Sequence, residues 1–319
     1  MVKSKQTLLS LALAAAVAAP MVNADDGFQL SEKLAVTGFI DMSWVYVDVD
    51  GAGSDQGAGL DQFEIDLLYK FDSKFSAQVD IEHKDDSDDV DLEQAFLTYQ
   101  VNDAVSIKAG RFLSYSGWET EEPTGLFQYS GTGYAPIFYG YYQQGVSAMY
   151  KGDGFALAAS VINDLDNPEA TDSEQPAIEL MAAFMPSDSV TIKGFYSTDK
   201  LDGTNEDKEK INVWASYAEG PLTLAVELNK AENSAALGTE SDGYLLMGNY
   251  DFGSFGLTVR YHAWETEDST GATIIDADGI TISPSVAITD NLLMVFEYRM
   301  DDINGADVDT LAVEALVTF

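Results

Sequence analysis

Three carboxylates, Glu119, Glu121 and Glu122, stand close together in a stretch, 114–140, that contains no Lys or Arg. The same stretch carries Tyr115, Trp118, Phe127, Tyr129, Tyr134, Phe138 and Tyr139, with glycines between them. Grouped carboxylates without counter-charges attract cations, and beside a narrow aqueous passage they favour cations over anions. So much apolar area is costly to leave in water. The segment is therefore expected to fold inward and narrow whatever cavity it borders, with the three Glu at or near the constriction. Packing over a rim, or against a neighbouring subunit, is the alternative.

More charge follows from alternation. In Phe63-Glu64-Ile65-Asp66-Leu67-Leu68-Tyr69-Lys70-Phe71 every odd position is apolar, and Ser76, Gln78 and Asp80 interleave Phe75, Ala77, Val79 and Ile81. Period-2 alternation marks strands with one apolar and one wet face. If Phe63, Ile65 and Leu67 face lipid, then Glu64, Asp66 and Lys70 face water. The same parity puts Asp80, Glu82, Lys108, Lys193, Glu227, Arg260 with His262, Glu297 with Arg299, and Glu314 on the wet side. Acids outnumber bases there, although a transverse field between the two is conceivable.

Other chemistry is weakly represented. Nucleophilic catalysis needs a His within reach of Ser, Asn or Asp, and the only histidines are His83 and His262, neither in a catalytic motif; an enzyme is not expected. Asp85, Asp86, Asp88 and Asp89 could hold divalent cations weakly, because such ions take carboxylate oxygens. The run lacks the length and terminal Glu of an EF-hand loop, so no specific metal and no cofactor is expected. With no Cys, disulfides and thiolate metal sites are excluded. A formal net charge of −38 repels phosphates, which argues against nucleic acid.

The elements that must position these residues are strands. Lys3 and Lys5, the apolar run Leu8 to Pro20 and the small residues Val22-Asn23-Ala24 read as a cleaved secretory signal over 1–24. Residues 25–33 are then a short periplasmic lead-in, and 34–319 an all-β domain. Sixteen strand segments can be drawn, give or take two, from 34–47 to 308–319. Brief turns such as Asp72-Ser73 and Asn102-Asp103 alternate with longer connections at 48–59, 85–89, 114–140, 164–175, 200–209, 231–240, 265–277 and 301–307. Those longer connections are rich in Asp and Glu, with only Lys200 and Lys208 as bases. Strands of about ten residues whose connections alternate short and long are the pattern of an up-and-down antiparallel outer-membrane barrel with both termini periplasmic. A barrel of this strand number leaves an aqueous lumen. Aromatics near strand ends, including Trp44, Tyr46, Tyr69, Tyr99, Tyr150, Tyr250 and Phe252, fit interfacial girdles.

The last strand alternates through Leu311, Val313, Ala315 and Val317 to Phe319. A final strand ending in an aromatic residue resembles the signal read by the barrel-assembly machinery. The block Glu93-Gln94-Ala95-Phe96-Leu97-Thr98-Tyr99, then Val105 to Phe112 with Ala109-Gly110-Arg111-Phe112, then Gly117-Trp118-Glu119, resembles outer-membrane β-barrel porins of the OmpL-like type. Thr37-Gly38-Phe39-Ile40-Asp41 resembles that family's first strand. The resemblance implies a pore in the outer membrane of a Gram-negative cell, for passive diffusion of small hydrophilic solutes or cations. Homotrimers are common among such pores. The competing expectation is a surface adhesin or structural barrel whose acidic loops bind cations or partners.

Overall fold

The computed structural model describes residues 28–84, 89–119, 121–171, 175–201, 204 and 206–319. The signal segment and Asp85 to Asp88 lie outside them. A two-residue strand, β1 (Phe28–Gln29), pairs with the start of β2. Sixteen strands follow: β2 (Leu34–Val49), β3 (Gly53–Lys70), β4 (Phe75–Lys84), β5 (Asp91–Gln100), β6 (Val105–Leu113), β7 (Tyr142–Gly152), β8 (Phe155–Ile162) and β9 (Ala177–Ser187) form the first half. The second half is β10 (Val190–Lys200), β11 (Asp207–Glu219), β12 (Leu222–Glu232), β13 (Glu240–Asp251), β14 (Gly256–Glu267), β15 (Thr273–Ala287), β16 (Leu292–Ile303) and β17 (Ala306–Thr318).

Each strand pairs antiparallel with its sequence neighbours, and β17 pairs with β2, so the sheet closes on itself. Closure removes the unpaired edge that no membrane-spanning sheet can leave in hydrocarbon. At the seam Phe319 N–H donates to Gly38 O at 3.0 Å and Gly38 N–H to Phe319 O at 3.1 Å. Gly38 is required there, because a Cβ would lie 2.2 Å from the Glu64 carbonyl oxygen and 2.8 Å from the Phe319 ring. The chain thus starts and finishes its barrel at one end, the end that also carries the short turns.

The outer surface has the layering a bilayer demands. Leu97, Leu157, Leu180, Leu224, Val226, Leu246 and Val259 point outward and stay exposed. Outward rings gather near the turns, with Tyr69–Phe71, Phe71–Phe75, Tyr150–Phe155 and Phe252–Phe255 in contact at 4.7–5.7 Å. A second set, Trp44, Tyr244 and Tyr298, lies toward the opposite end.

Three expected loops prove to be strand. β2 runs to Val49 and β3 begins at Gly53, so 48–59 is a long hairpin rather than a loop. Residues 265–277 and 301–307 are mostly absorbed by β14 to β17, and Asn304-Gly305, both at positive φ, make a tight turn between β16 and β17. Beyond the hydrocarbon both faces of a strand meet water, so carboxylates such as Asp276, Asp302 and Asp307 mark where the bilayer ends, not where pairing ends. Gly38→Val should prevent seam closure. The check is heat-modifiable gel mobility after refolding, with the compact band expected for the wild type and lost in the variant.

Candidate functional site

The connection between β6 and β7, residues 114–141, turns back into the barrel. Its first limb runs along the inner wall from β9 to β14. Ser114 Oγ donates to Glu179 (2.6 Å), Tyr115 Oη meets Ser147 Oγ (3.1 Å), and Gly117 N–H donates to Asn212 Oδ1 (3.2 Å). Trp118 N–H then donates to Glu227 (2.7 Å), and Glu119 pairs with Arg260 at 2.5 Å. Both Glu119 and Arg260 are buried. The return limb is fixed as firmly. Ser130 donates to Glu297 through N–H (3.1 Å) and Oγ (2.5 Å), while Arg299 donates to the carbonyls of Gly131 (2.5 Å) and Thr132 (2.9 Å). Tyr129 Oη reaches across to Asp61 on β3 (3.1 Å).

Glu227 is the hub of this attachment. It accepts from Trp118 N–H, from the hydroxyls of Tyr134 and Tyr139, and from Asn212 Nδ2. The rings it collects form one apolar cluster, Trp118, Tyr134, Phe138 and Tyr139, packed on Trp214, Ala225, Leu245 and Met247 of the wall. Tyr115 packs on Met149, Ala158, Met181 and Phe195 in a second. Burying such a side chain stabilises by about 1.5–3 kcal/mol, enough together to outweigh the entropy of ordering the loop.

The lumen is consequently two-sided. Nearly every inward residue from β8 to β14 is buried, among them Ala156, Glu179, Lys193, Lys210, Glu227, Arg260 and His262. Along β4, by contrast, Ser76, Gln78, Glu82 and Lys84 remain partly exposed. Glu121 and Glu122 extend from the loop toward this second side. Lys84 Nζ lies 2.9 Å from Glu82, 3.4 Å from Glu93 and 3.6 Å from Glu121, and Tyr142 Oη donates to Glu122 at 2.8 Å. Burial pushes the Glu121 carboxyl above the usual carboxylate range. Burial, and then the charge of Glu93, pushes Glu122 well above it.

The residues assigned inward by parity lie on the inner face: Glu64, Asp66, Lys70, Asp80 and Glu82 on β3 and β4, Lys108 on β6, Lys193 on β10, Glu227 on β12, Arg260 and His262 on β14, Glu297 and Arg299 on β16, and Glu314 on β17. They do not form one group. Glu119, Glu227, Arg260, Glu297 and Arg299 hold the loop. Asp66 and Glu82 stay partly exposed on the second side with Glu121, whereas Glu64, Asp80 and Glu314 are buried. Lys108 belongs to neither; its ammonium lies over the rings of Phe96, Phe112 and Tyr115 at 4.6–5.7 Å. A transverse field is weakened as a result, since Lys193, Lys210 and Arg260 are sealed behind the loop. Asp41 also points inward, in plain alternation with Thr37 and Phe39, and so do Asp61 and Glu93, against parity. Bulges opposite Asp41/Met42 and at Asp80/Ile81 put two consecutive residues inside, Asp61 with Gln62 and Glu93 with Gln94. Of the acidic run after Lys84, only Asp89 is described, and its carbonyl meets His83 Nδ1 at 3.0 Å. His262 is buried and stacks on Trp264 at 5.8 Å.

A family model described as putative beta-barrel porin-2, OmpL-like, matches residues 62–318. The chain belongs to that family. No curated protein matches it. Among solved structures it is similar to Salmonella typhi OmpF in complex with daunomycin, with 16% identity over 94% of this chain and 99% of that one (TM-score 0.72). An anion-selective porin from Comamonas acidovorans aligns at 16% identity over 90% and 99% (TM-score 0.71). The trimer form of OmpT from Vibrio cholerae aligns at 16% identity over 90% and 100% (TM-score 0.64). At such identity the likeness is one of fold. Family and fold together make the chain an outer-membrane porin, a channel rather than an enzyme.

Two outcomes follow from the loop's anchors. Glu119→Gln leaves Arg260 charged and buried without its partner, and should cost about 3–5 kcal/mol, read as a lower urea midpoint; adding Arg260→Met should recover part of it. Because Glu121 and Glu122 hold protons above the ordinary carboxylate range, the folded chain binds more protons than the unfolded one there. Stability should fall as pH rises from the ordinary carboxylate pKa through their own. Glu122→Gln should flatten that decline in urea titrations run across pH.

Proposed function

We propose that this porin passes small hydrophilic solutes by diffusion, prefers cations, and uses loop 114–141 as its size filter. The observation that carries the reading is the unequal fate of the inward charges. Lys193, Lys210 and Arg260 are all buried against the loop or the wall it covers. The partly exposed side carries Asp61, Asp66 and Glu82 on the wall and Glu121 on the loop, against two ammoniums, Lys84, already shared among three carboxylates, and Lys70 at the short-turn end of β3. A solute moving along β2 to β5 meets a surface whose charge is predominantly negative, and a ring of carboxylates lowers the cost of a cation there while raising that of an anion. Width is set by the loop, whose carboxylates and tyrosines form the opposite side of the passage.

The end bearing the short turns and both chain ends faces the periplasm, as in barrels of this type. The chain is delivered by the signal segment 1–24, and the last strand, ending at Phe319, is what the assembly machinery engages. A homotrimer in the outer-membrane lipid is the proposed assembly. The anion-selective relative shares the fold alone and has no bearing on charge preference in this chain.

Planar-bilayer recording of the refolded chain under a KCl gradient tests the proposal. Stable conductance is expected, with a reversal potential on the cation side that moves toward zero in Glu82→Gln/Glu121→Gln. A chloride-side potential would contradict the charge argument. A folded barrel that does not conduct would favour the surface-binding alternative.

A further inference from the structure

β3, β4 and β5 bring Glu64, Asp80 and Glu93 together inside the barrel. One carboxylate oxygen from each lies within 4.8 Å of the others. The three residues are 4%, 1% and 1% exposed. Register produces the cluster: Glu64 pairs with Glu82 and Asp66 with Asp80 across β3 and β4, and the bulge on β5 turns Glu93 inward beside them.

The donors nearby are already committed to particular oxygens. Gln78 and Gln94 each donate to Asp80 Oδ2 at 2.8 Å, Gln62 approaches Glu64 Oε2 at 3.4 Å, and Lys84 Nζ lies 3.4 Å from Glu93 Oε1. The two amides clamp Asp80 so that its other oxygen turns away from them. Among the described residues, Asp80 Oδ1 and Glu93 Oε2 are enclosed and have no hydrogen-bond partner. A buried carboxylate oxygen without a donor is strongly unfavourable. An enclosed oxygen that no protein group satisfies, repeated on two adjacent carboxylates, points to a ligand.

We propose that Glu64, Asp80 and Glu93 bind one hard divalent cation, with Ca²⁺ the best match. Ca²⁺ takes oxygen ligands at roughly 2.3–2.6 Å in flexible geometry, with carboxylates bound through one or both oxygens. Ligands on opposite sides of it therefore stand about 4.6–5.2 Å apart, a span that covers this cluster. Mg²⁺ requires near-octahedral ligands at about 2.0–2.1 Å and keeps several of its waters, which suits an enclosed pocket less well. The ion enters past Glu82 and Lys84, whose side chains are 12% and 31% exposed. Once bound it cancels the repulsion among the carboxylates and ties three strands together where Glu122 approaches.

The test is calorimetric titration of Ca²⁺ alone into the chelator-stripped, refolded full chain in detergent. About 0.15 M KCl screens the surface carboxylates beyond roughly 8 Å. One saturable equivalent per chain is expected, absent in Glu64→Gln/Asp80→Asn and retained in the outward-facing Asp302→Asn. Ca²⁺ should also raise the thermal midpoint of the wild type and leave the double variant unmoved. Heat-modifiable mobility verifies folding of each variant, with Glu93→Gln as a second way of emptying the site. No saturable equivalent in the wild type, or the same isotherm in wild type and folded variants, would overturn the proposal. Neither result depends on conduction, so its failure would leave the porin reading intact.

Discussion

Hydrocarbon offers no hydrogen bonds, and that constraint organises the molecule. A backbone crossing a bilayer must satisfy its own N–H and C=O groups, and a sheet can do so throughout only by closing. Pairing of β17 with β2 is therefore the condition for the rest. Once closed, the barrel has an outside that tolerates only apolar and aromatic side chains, and an inside that must be filled either by water or by protein. The chain uses both solutions, one on each side of the lumen.

Protein fills the side lined by β8 to β14. There the loop's rings replace water, and Glu227 and Arg260 satisfy the backbone and the charges that the rings cannot. Polar anchors set the loop's position while apolar contacts supply the greater part of its stabilisation. A buried pair such as Glu119–Arg260 adds little net stability over a well-packed apolar pair, but removing one partner is costly. That asymmetry makes the loop a fixed wall rather than a flap. Water is left part of the side lined by β3 and β4, where Asp66 and Glu82 remain partly solvated while Glu64 and Asp80 are buried, and the division of the interior accounts for which inward charges a solute can meet.

Much of this was legible in the sequence. Alternation through Phe63 to Phe71 reads correctly because β3 has lipid on one face and wet carboxylates on the other. The apolar density and missing bases of 114–140 predict a segment that leaves water, and its anchors lie on the inner wall. Parity becomes silent where the inner face is apolar as well. In Tyr244-Leu245-Leu246-Met247, Leu245 and Met247 pack against the loop while Tyr244 and Leu246 face outward, and both sets are hydrophobic. Bulges hide Asp61 and Glu93, since one extra residue resets inside and outside without any change of composition. Composition does not mark the strand ends at 48–59, because acidity in water does not stop a strand from pairing. The cluster of Glu64, Asp80 and Glu93 needed three registers at once, and no local pattern holds that information.

The central claim is the two-sided lumen, and the absence of native cysteine makes it directly measurable. Single cysteines placed at Gln78, on the partly open wall, and at Ala158, on the sealed wall, should react very differently with a small cationic thiol reagent in folded, vesicle-inserted barrels. Rapid labelling at 78 with protection at 158, read by mass spectrometry, is the predicted result. Equal labelling at both positions, or protection at 78, would contradict the account.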